Sequence, residues 1–190
     1  VFNIFEPCSR MKSLMSHFNQ PWFVAGGWAI DLFIGKETRM HQDLDIAIFR
    51  KDQFHLRDYL HEWRFQKVYN SEFLTWEKEY LELPIHQLKA INPASGAQLE
   101  ILLNEASNKE WRFRRDLSIT LPLSCTWSLS DFGIPYLNPV IVLLYKAKNT
   151  RARDHQDFLA VKDTLDVEQK IWLQNAIQKQ QPEHKWLSYL

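Results

Sequence analysis

The chain has 190 residues, long enough for one large domain with its own core. Lys and Arg number 23 and Asp and Glu number 23, so the formal charge is zero, which disfavours a long phosphate polymer as partner. Two cysteines, Cys8 and Cys125, fit neither a metal pattern nor a disulfide framework, so a reduced cytoplasmic protein is expected. The longest apolar run, 140–145, is far short of a membrane span, and residues 1–12 carry no signal-peptide pattern.

In chain order, Ser9–Phe18 reads as a short helix capped by Ser9. Trp22–Ala25 is an apolar strand running into Gly26-Gly27, and Trp28–Ile34 is a helix closed by Gly35. Leu44–Phe49 reads as a strand and Asp52–Trp63 as a helix. Phe65–Tyr69, Leu83–Ile91 and Gln98–Leu103 read as further strands. Gly133–Tyr136 is a loop or short strand. Helices follow at Pro139–Lys148, with Pro at its first position, and at Asp154–Leu165, Val167–Gln180 and Glu183–Tyr189. The expected organisation is an α/β core over residues 1–130 followed by a helical part over 131–190, with a cleft where they meet.

The informative chemistry lies in residues 26–46. Asp43 and Asp45 are two apart on the expected strand, so both point to one face, while Leu44, Ile46 and Ile48 point to the other. Two adjacent carboxylates repel, and a divalent cation such as Mg2+ removes that penalty while gripping phosphates. A merely solvated acidic edge is the alternative. Gly26-Gly27, between strand and helix, leave backbone N–H groups open to a phosphate at a helix N-terminus; a tight strand-to-helix turn explains the pair equally well. Glu100 alternates away from Leu99, Ile101 and Leu103, so it can complete a metal shell or accept a proton. Glu105 and Glu82 compete for that role.

These residues carry a resemblance. Gly26-Gly-Trp-Ala-Ile-Asp31 and Gly35-Lys-Glu-Thr-Arg-Met-His-Gln-Asp-Leu-Asp45 resemble the nucleotidyltransferase superfamily related to DNA polymerase beta. The closer similarity is to the branch of aminoglycoside 2''-adenylyltransferases and lincosamide nucleotidyltransferases. Weaker similarity continues through residues 100–105, 111–116, 133–137, 143–148 and 154–158. The resemblance implies an α+β fold, a small mixed sheet flanked by helices, with a helical C-terminal part closing the cleft. It implies Mg2+ held by Asp43, Asp45 and Glu100, and a nucleoside triphosphate, ATP, as co-substrate. The acceptor would be a small-molecule hydroxyl, an antibiotic being one example, with neither long nucleic acid nor membrane involved. A nucleotide-binding regulatory or partner-binding module without turnover is the alternative. Relatives often carry Glu after the proline that opens the helix at Pro139; here Val140 stands there.

The remaining candidates have two readings each. Arg39 either binds a phosphate or pairs with Asp31 or Glu37. Lys146 falls off the buried stripe of its helix, so it either reaches a triphosphate or is solvated. Arg114 and Arg115 either contact phosphate or pair with Asp116. His41 reads as a loop-ordering hydrogen bonder rather than a base, and Asp31, in the helix after the Gly pair, as a structural residue. A polycationic aminoglycoside would need an acidic pocket, for which Glu72, Glu77, Glu79 and Glu82 are candidates. The eight Trp residues read mostly as packing, with stacking on a base or drug ring as the other use.

Overall fold

A computed structural model describes residues 4–190. Among the described residues, ten strands and six α-helices form an α+β fold in which the helices sit on both faces of one mixed sheet. The helices are α1 (Glu6–Leu14), α2 (Gly26–Ile34), α3 (Gln53–Tyr59), α4 (Pro139–Ala147), α5 (Ala152–Val161) and α6 (Val167–Gln180). The strands are β1 (Trp22–Val24), β2 (Asp45–Phe49), β3 (Arg64–Tyr69), β4 (Glu72–Thr75), β5 (Gln87–Ile91), β6 (Gln98–Ser107), β7 (Glu110–Phe113), β8 (Asp116–Pro122), β9 (Trp127–Leu129) and β10 (Pro135–Leu137).

The main strand order is β4-β3-β5-β6-β2-β1-β10-β9, with β7 and β8 folding back from the far half of β6. β2 runs parallel to β6 and antiparallel to β1, while β1 runs parallel to β10. β9 and β10 pair with each other on either side of residue 131, and α4 follows β10 directly.

The alternation along β2 splits the interior in two. Ile46 and Ile48 face a core shared with Met11 of α1, Met15 at its C-cap and Leu56 of α3. Ala47 and Phe49 face the other core, built with α2, α4, α5 and α6. Asp45 precedes Ala47 in the same parity, so its carboxylate is aimed at the second face, where α2 and α4 leave a cleft. Asn138 caps α4 by accepting from the Val140 N–H at 3.0 Å, and Pro139 opens the helix as its sequence position predicts. Val140 is wholly buried, so this position turns into the core rather than toward a substrate. Among the described residues no helix is long and apolar enough to cross a membrane.

Several element boundaries differ from expectation. The first helix begins at Glu6, not Ser9, because Pro7 pre-sets its opening turn. The helix expected from Asp52 to Trp63 is a 3-10 turn (Arg50–Asp52) followed by α3. The strand expected from Leu83 starts only at Gln87, since Pro84 has no N–H to offer a ladder. The last expected helix is the 3-10 turn Lys185–Ser188. Four strands, β4, β7, β8 and β9, have no counterpart in the sequence reading. β4 and β9 are exposed at every position, so no buried alternation marks them.

Candidate active site

Parallel pairing of β2 with β6 places Asp45 directly opposite Glu100. Both carboxylates emerge on the same face, side by side in register. Burial above all, then the negative charges of Glu100 and Asp43, push the Asp45 carboxyl up from 3.8 to about 6, with Lys146 acting in the opposite sense. Gln87, on the neighbouring β5, donates to Glu100 at 3.0 Å and fixes its orientation. Asp43 is not on the strand. The ladder begins at Asp45, and Asp43 lies in the preceding loop, so the same-face argument places Asp45 and Glu100 but not Asp43.

The start of α2 closes on this pair. Ala25 donates its N–H to the Asp45 carbonyl at 2.8 Å, tying the strand-to-helix turn to β2. Gly26 has φ +64°, and a Cβ there would lie 2.6 Å from Oδ2 of Asp45. Only glycine permits both this backbone and this approach. Gly26→Ala is expected to cost about 1–2 kcal/mol in stability from the left-handed backbone alone. It also displaces the Asp45 carboxylate, so thermal melting and turnover measured together should both fall.

Three of the residues expected to face phosphates, Gly27, Arg39 and Lys146, have neighbours of their own. The space beside Gly27 is filled by the side chains of Arg39 and His41. Arg39 pairs with neither Asp31 nor Glu37. It forms a fork on Asp157 of α5, Nε to Oδ1 at 2.6 Å and Nη2 to Oδ2 at 3.0 Å. Asp157 is fully buried, and the sequence reading missed it. Lys146 is not solvated either: its Nζ donates to Asp154 at 2.8 Å and lies 3.0 Å from Asp157. Unlike Arg39, Lys146 also lines the cleft, and its charge is felt at Asp45. The i, i+3 spacing of Asp154 and Asp157 was the available signal, since it puts both on one helical face.

The loop between α2 and β2 is ordered as expected. Asp31, fully buried, accepts from Thr38 at 2.5 Å and bonds His41 Nε2 at 2.6 Å. The His41 ring lies 4.4 Å from that of Trp28.

The cleft over β6 and α4 holds a cavity of about 460 Å³ bounded by Gly26, Leu102, Asn104 and Tyr145 among others. Its charged lining is Arg114, Arg115, Lys146, Lys148 and Arg151 against Asp154 alone. The glutamates considered for an acidic acceptor pocket lie elsewhere. Glu72 is on exposed β4, Glu77, Glu79 and Glu82 are exposed beyond it, and Lys67 already holds Glu79. No tryptophan lines the cavity, and Trp28, Trp76, Trp111 and Trp186 are buried packing residues.

Asp45 and Glu100 are hard oxygen donors held face to face at an electrostatic cost that a cation would remove. Among the described residues no three His, Cys, Asp or Glu side chains form a finished cation cage. Mg2+ needs none, because it keeps waters and takes one or two carboxylates together with substrate phosphates. The residues present fit such an open site.

In fold the chain is similar to the crystal structure of lincosamide antibiotic adenylyltransferase LnuA in its lincomycin-bound form, at 17% identity and TM-score 0.58 over 86% of this chain and 100% of that one. It is also similar to the antibiotic-resistance factor ANT(2'')-Ia. The solution structure gives TM-score 0.59 at 14% identity, over 94% of each chain. The crystal complex with adenylyl-2''-tobramycin gives 0.60 at 12% identity, over 92% and 98%. The architecture is therefore the nucleotidyltransferase fold. Residues 9–159 match the family described as aminoglycoside-2''-adenylyltransferase, and the chain belongs to that family. No curated protein matches it.

Proposed function

We propose that this protein is a Mg2+-dependent nucleotidyltransferase that moves AMP from ATP to a hydroxyl of a small molecule. The observation that carries the reading is the in-register Asp45–Glu100 pair beside the open backbone of Gly26. The membership in an adenylyltransferase family supports adenylate as the group moved, and the lincomycin and tobramycin complexes of the structural neighbours support a small acceptor.

Asp45, Glu100 and, from the adjoining loop, Asp43 would hold Mg2+, which when bound neutralises phosphate charge and polarises the reacting phosphorus. The residues of the chain do the rest. Gly26 brings the N-terminal backbone of α2 against the phosphates, and Lys146 supplies a positive charge across the cleft. Gly27 and Arg39 build the wall behind Gly26 rather than touching phosphate. Glu100 takes the proton of the acceptor hydroxyl as its oxygen bonds to the α-phosphorus and the bond to the bridging oxygen breaks. The products are the adenylylated acceptor and pyrophosphate.

The test is pyrophosphate release from ATP and Mg2+ across a panel of hydroxyl acceptors, neutral, cationic and acidic. Turnover with at least one acceptor that disappears in Asp43→Asn and in Asp45→Asn is the expected result. Turnover that survives both substitutions overturns the site.

A further inference from the structure

We propose that Arg114 and Arg115, at the turn between β7 and β8, form a subsite in the cavity wall that binds a phosphate or carboxylate group. Neither guanidinium has an ion pair with an acid among the described residues. Arg112, two positions earlier in the same hairpin, lies 3.8 Å from Glu110, so pairing is available to this hairpin and the two cavity arginines do without it. The acid whose charge acts on Arg114, Glu105, is already held by the Arg50 guanidinium at 2.5 Å.

Their placement is fixed from below. Both guanidinium groups lie over the ring of Tyr145 on α4, at 5.3 and 5.5 Å from its centroid. Arg115 also donates to the Tyr145 carbonyl at 3.3 Å. Stacking on an aromatic face keeps a guanidinium planar and leaves its N–H edge for an oxyanion. Both are half-buried, and burial lowers the proton affinity of each. His86 beside them is shifted the same way, first by burial and further by the positive field of the two arginines. A half-buried cation pair with no acid partner is unfavourable, and a ligand that supplies the anion relieves it.

The rest of the cavity agrees in sign. Five cationic side chains line it against one carboxylate, and that carboxylate, Asp154, is already saturated by Lys146 at 2.8 Å and Arg151 at 2.7 Å. Arg114, Arg115 and Lys148 are left to an incoming group. The cavity takes in both Gly26, which abuts Asp45, and Asn104, four residues along β6 from Glu100. Two sources share this chemistry: the polyphosphate of the nucleotide, or an acidic group on the acceptor. Only the choice of source rests on the proposed transfer reaction; the binding itself does not.

The experiment is calorimetric titration of the full chain with inorganic tripolyphosphate, without Mg2+, at two salt concentrations. The same titration is made on Arg114→Gln, Arg115→Gln, the double variant and the double Lys variant, each first checked for an intact melting transition. Salt-sensitive binding is expected, weakened at least tenfold in the double Gln variant and partly restored by Lys, which keeps charge but loses the fork. Equal affinity in parent and double Gln variant overturns the subsite. Parallel titrations with ATP identify the source. A matching loss assigns the subsite to the nucleotide phosphates; ATP affinity unchanged while tripolyphosphate is lost assigns it to an acidic acceptor group. Arginine-dependent binding of tripolyphosphate in a chain that adenylylates no acceptor would sink the proposed reaction and leave the subsite standing. Transfer by a chain whose tripolyphosphate affinity ignores both arginines would do the reverse.

Discussion

Asp45→Asn is expected to lose nucleotidyl transfer by at least a thousandfold and, in the same protein, to raise the melting temperature. The two effects have one cause. The Asp45 carboxylate is half-buried opposite Glu100 and near Asp43, and its ionised form is disfavoured by desolvation and by both charges. On the proposed function, the folded chain carries this unfavourable pair because a cation and phosphates bind there. An amide of the same shape removes a charge, offers Glu100 an N–H donor and relieves the repulsion. Relief of about 1 kcal/mol raises the melting temperature of a chain this long by about 2–4 °C.

Mg2+ is expected to do for the parent what the amide does for the variant. A ligand that binds only the folded state raises its stability in proportion to the logarithm of concentration over affinity. Thermal melts with increasing MgCl2 should therefore shift the parent upward and leave Asp45→Asn flat, and addition of a chelator should reverse the parent's shift. A variant that melts lower than the parent, or that gains as much from Mg2+, contradicts the placement of the cation at Asp45.

This pair was legible in the sequence because strand parity is a local rule. Knowing that Ile46 and Ile48 turn inward was enough to aim Asp45, and Leu99 and Ile101 did the same for Glu100. Helix α6 was legible for a similar reason. Asp166 accepts from Gln169 N–H at 2.7 Å and Gln169 answers back, a reciprocal cap written in residues three apart. What stayed hidden is what depends on contacts distant in sequence. Arg39 meets Asp157 across 118 positions. Nothing near Arg39 distinguishes that partner from Asp31, which is closer in sequence yet is occupied by Thr38 and His41. The acidic pocket sought in residues 72–82 failed similarly: an edge strand and its following loop carry exposed charge whether or not a ligand comes near. The cationic cavity replaces it, drawing Arg114 from one hairpin, Lys146 from α4 and Arg151 from the turn before α5.

Asp157→Ala is expected to be the most destabilising single change near the cleft, by about 3–5 kcal/mol, the usual cost of breaking a buried pair from one side. Asp157 is fully buried, and its loss leaves the Arg39 guanidinium, mostly buried itself, without its fork and leaves Lys146 with one acid instead of two. The damage should spread to the site, since Arg39 fills the space beside Gly27 and so backs the turn that carries Gly26. Asp157→Asn keeps the shape and an acceptor oxygen and should cost less. A double-mutant cycle with Arg39→Met separates the pair from the burial of either member, and a coupling near zero would refute the latch. Acid should weaken the same network. Burial would raise the Asp154 carboxyl, but the hydrogen bonds from Arg151 and Lys146 outweigh it and hold it well below the usual carboxylate range. Its contribution is complete above the unfolded carboxylate value near 4 and is lost as pH falls below that toward the depressed folded value. Urea midpoints for the parent should therefore decline below about pH 4, and Asp154→Asn should decline less.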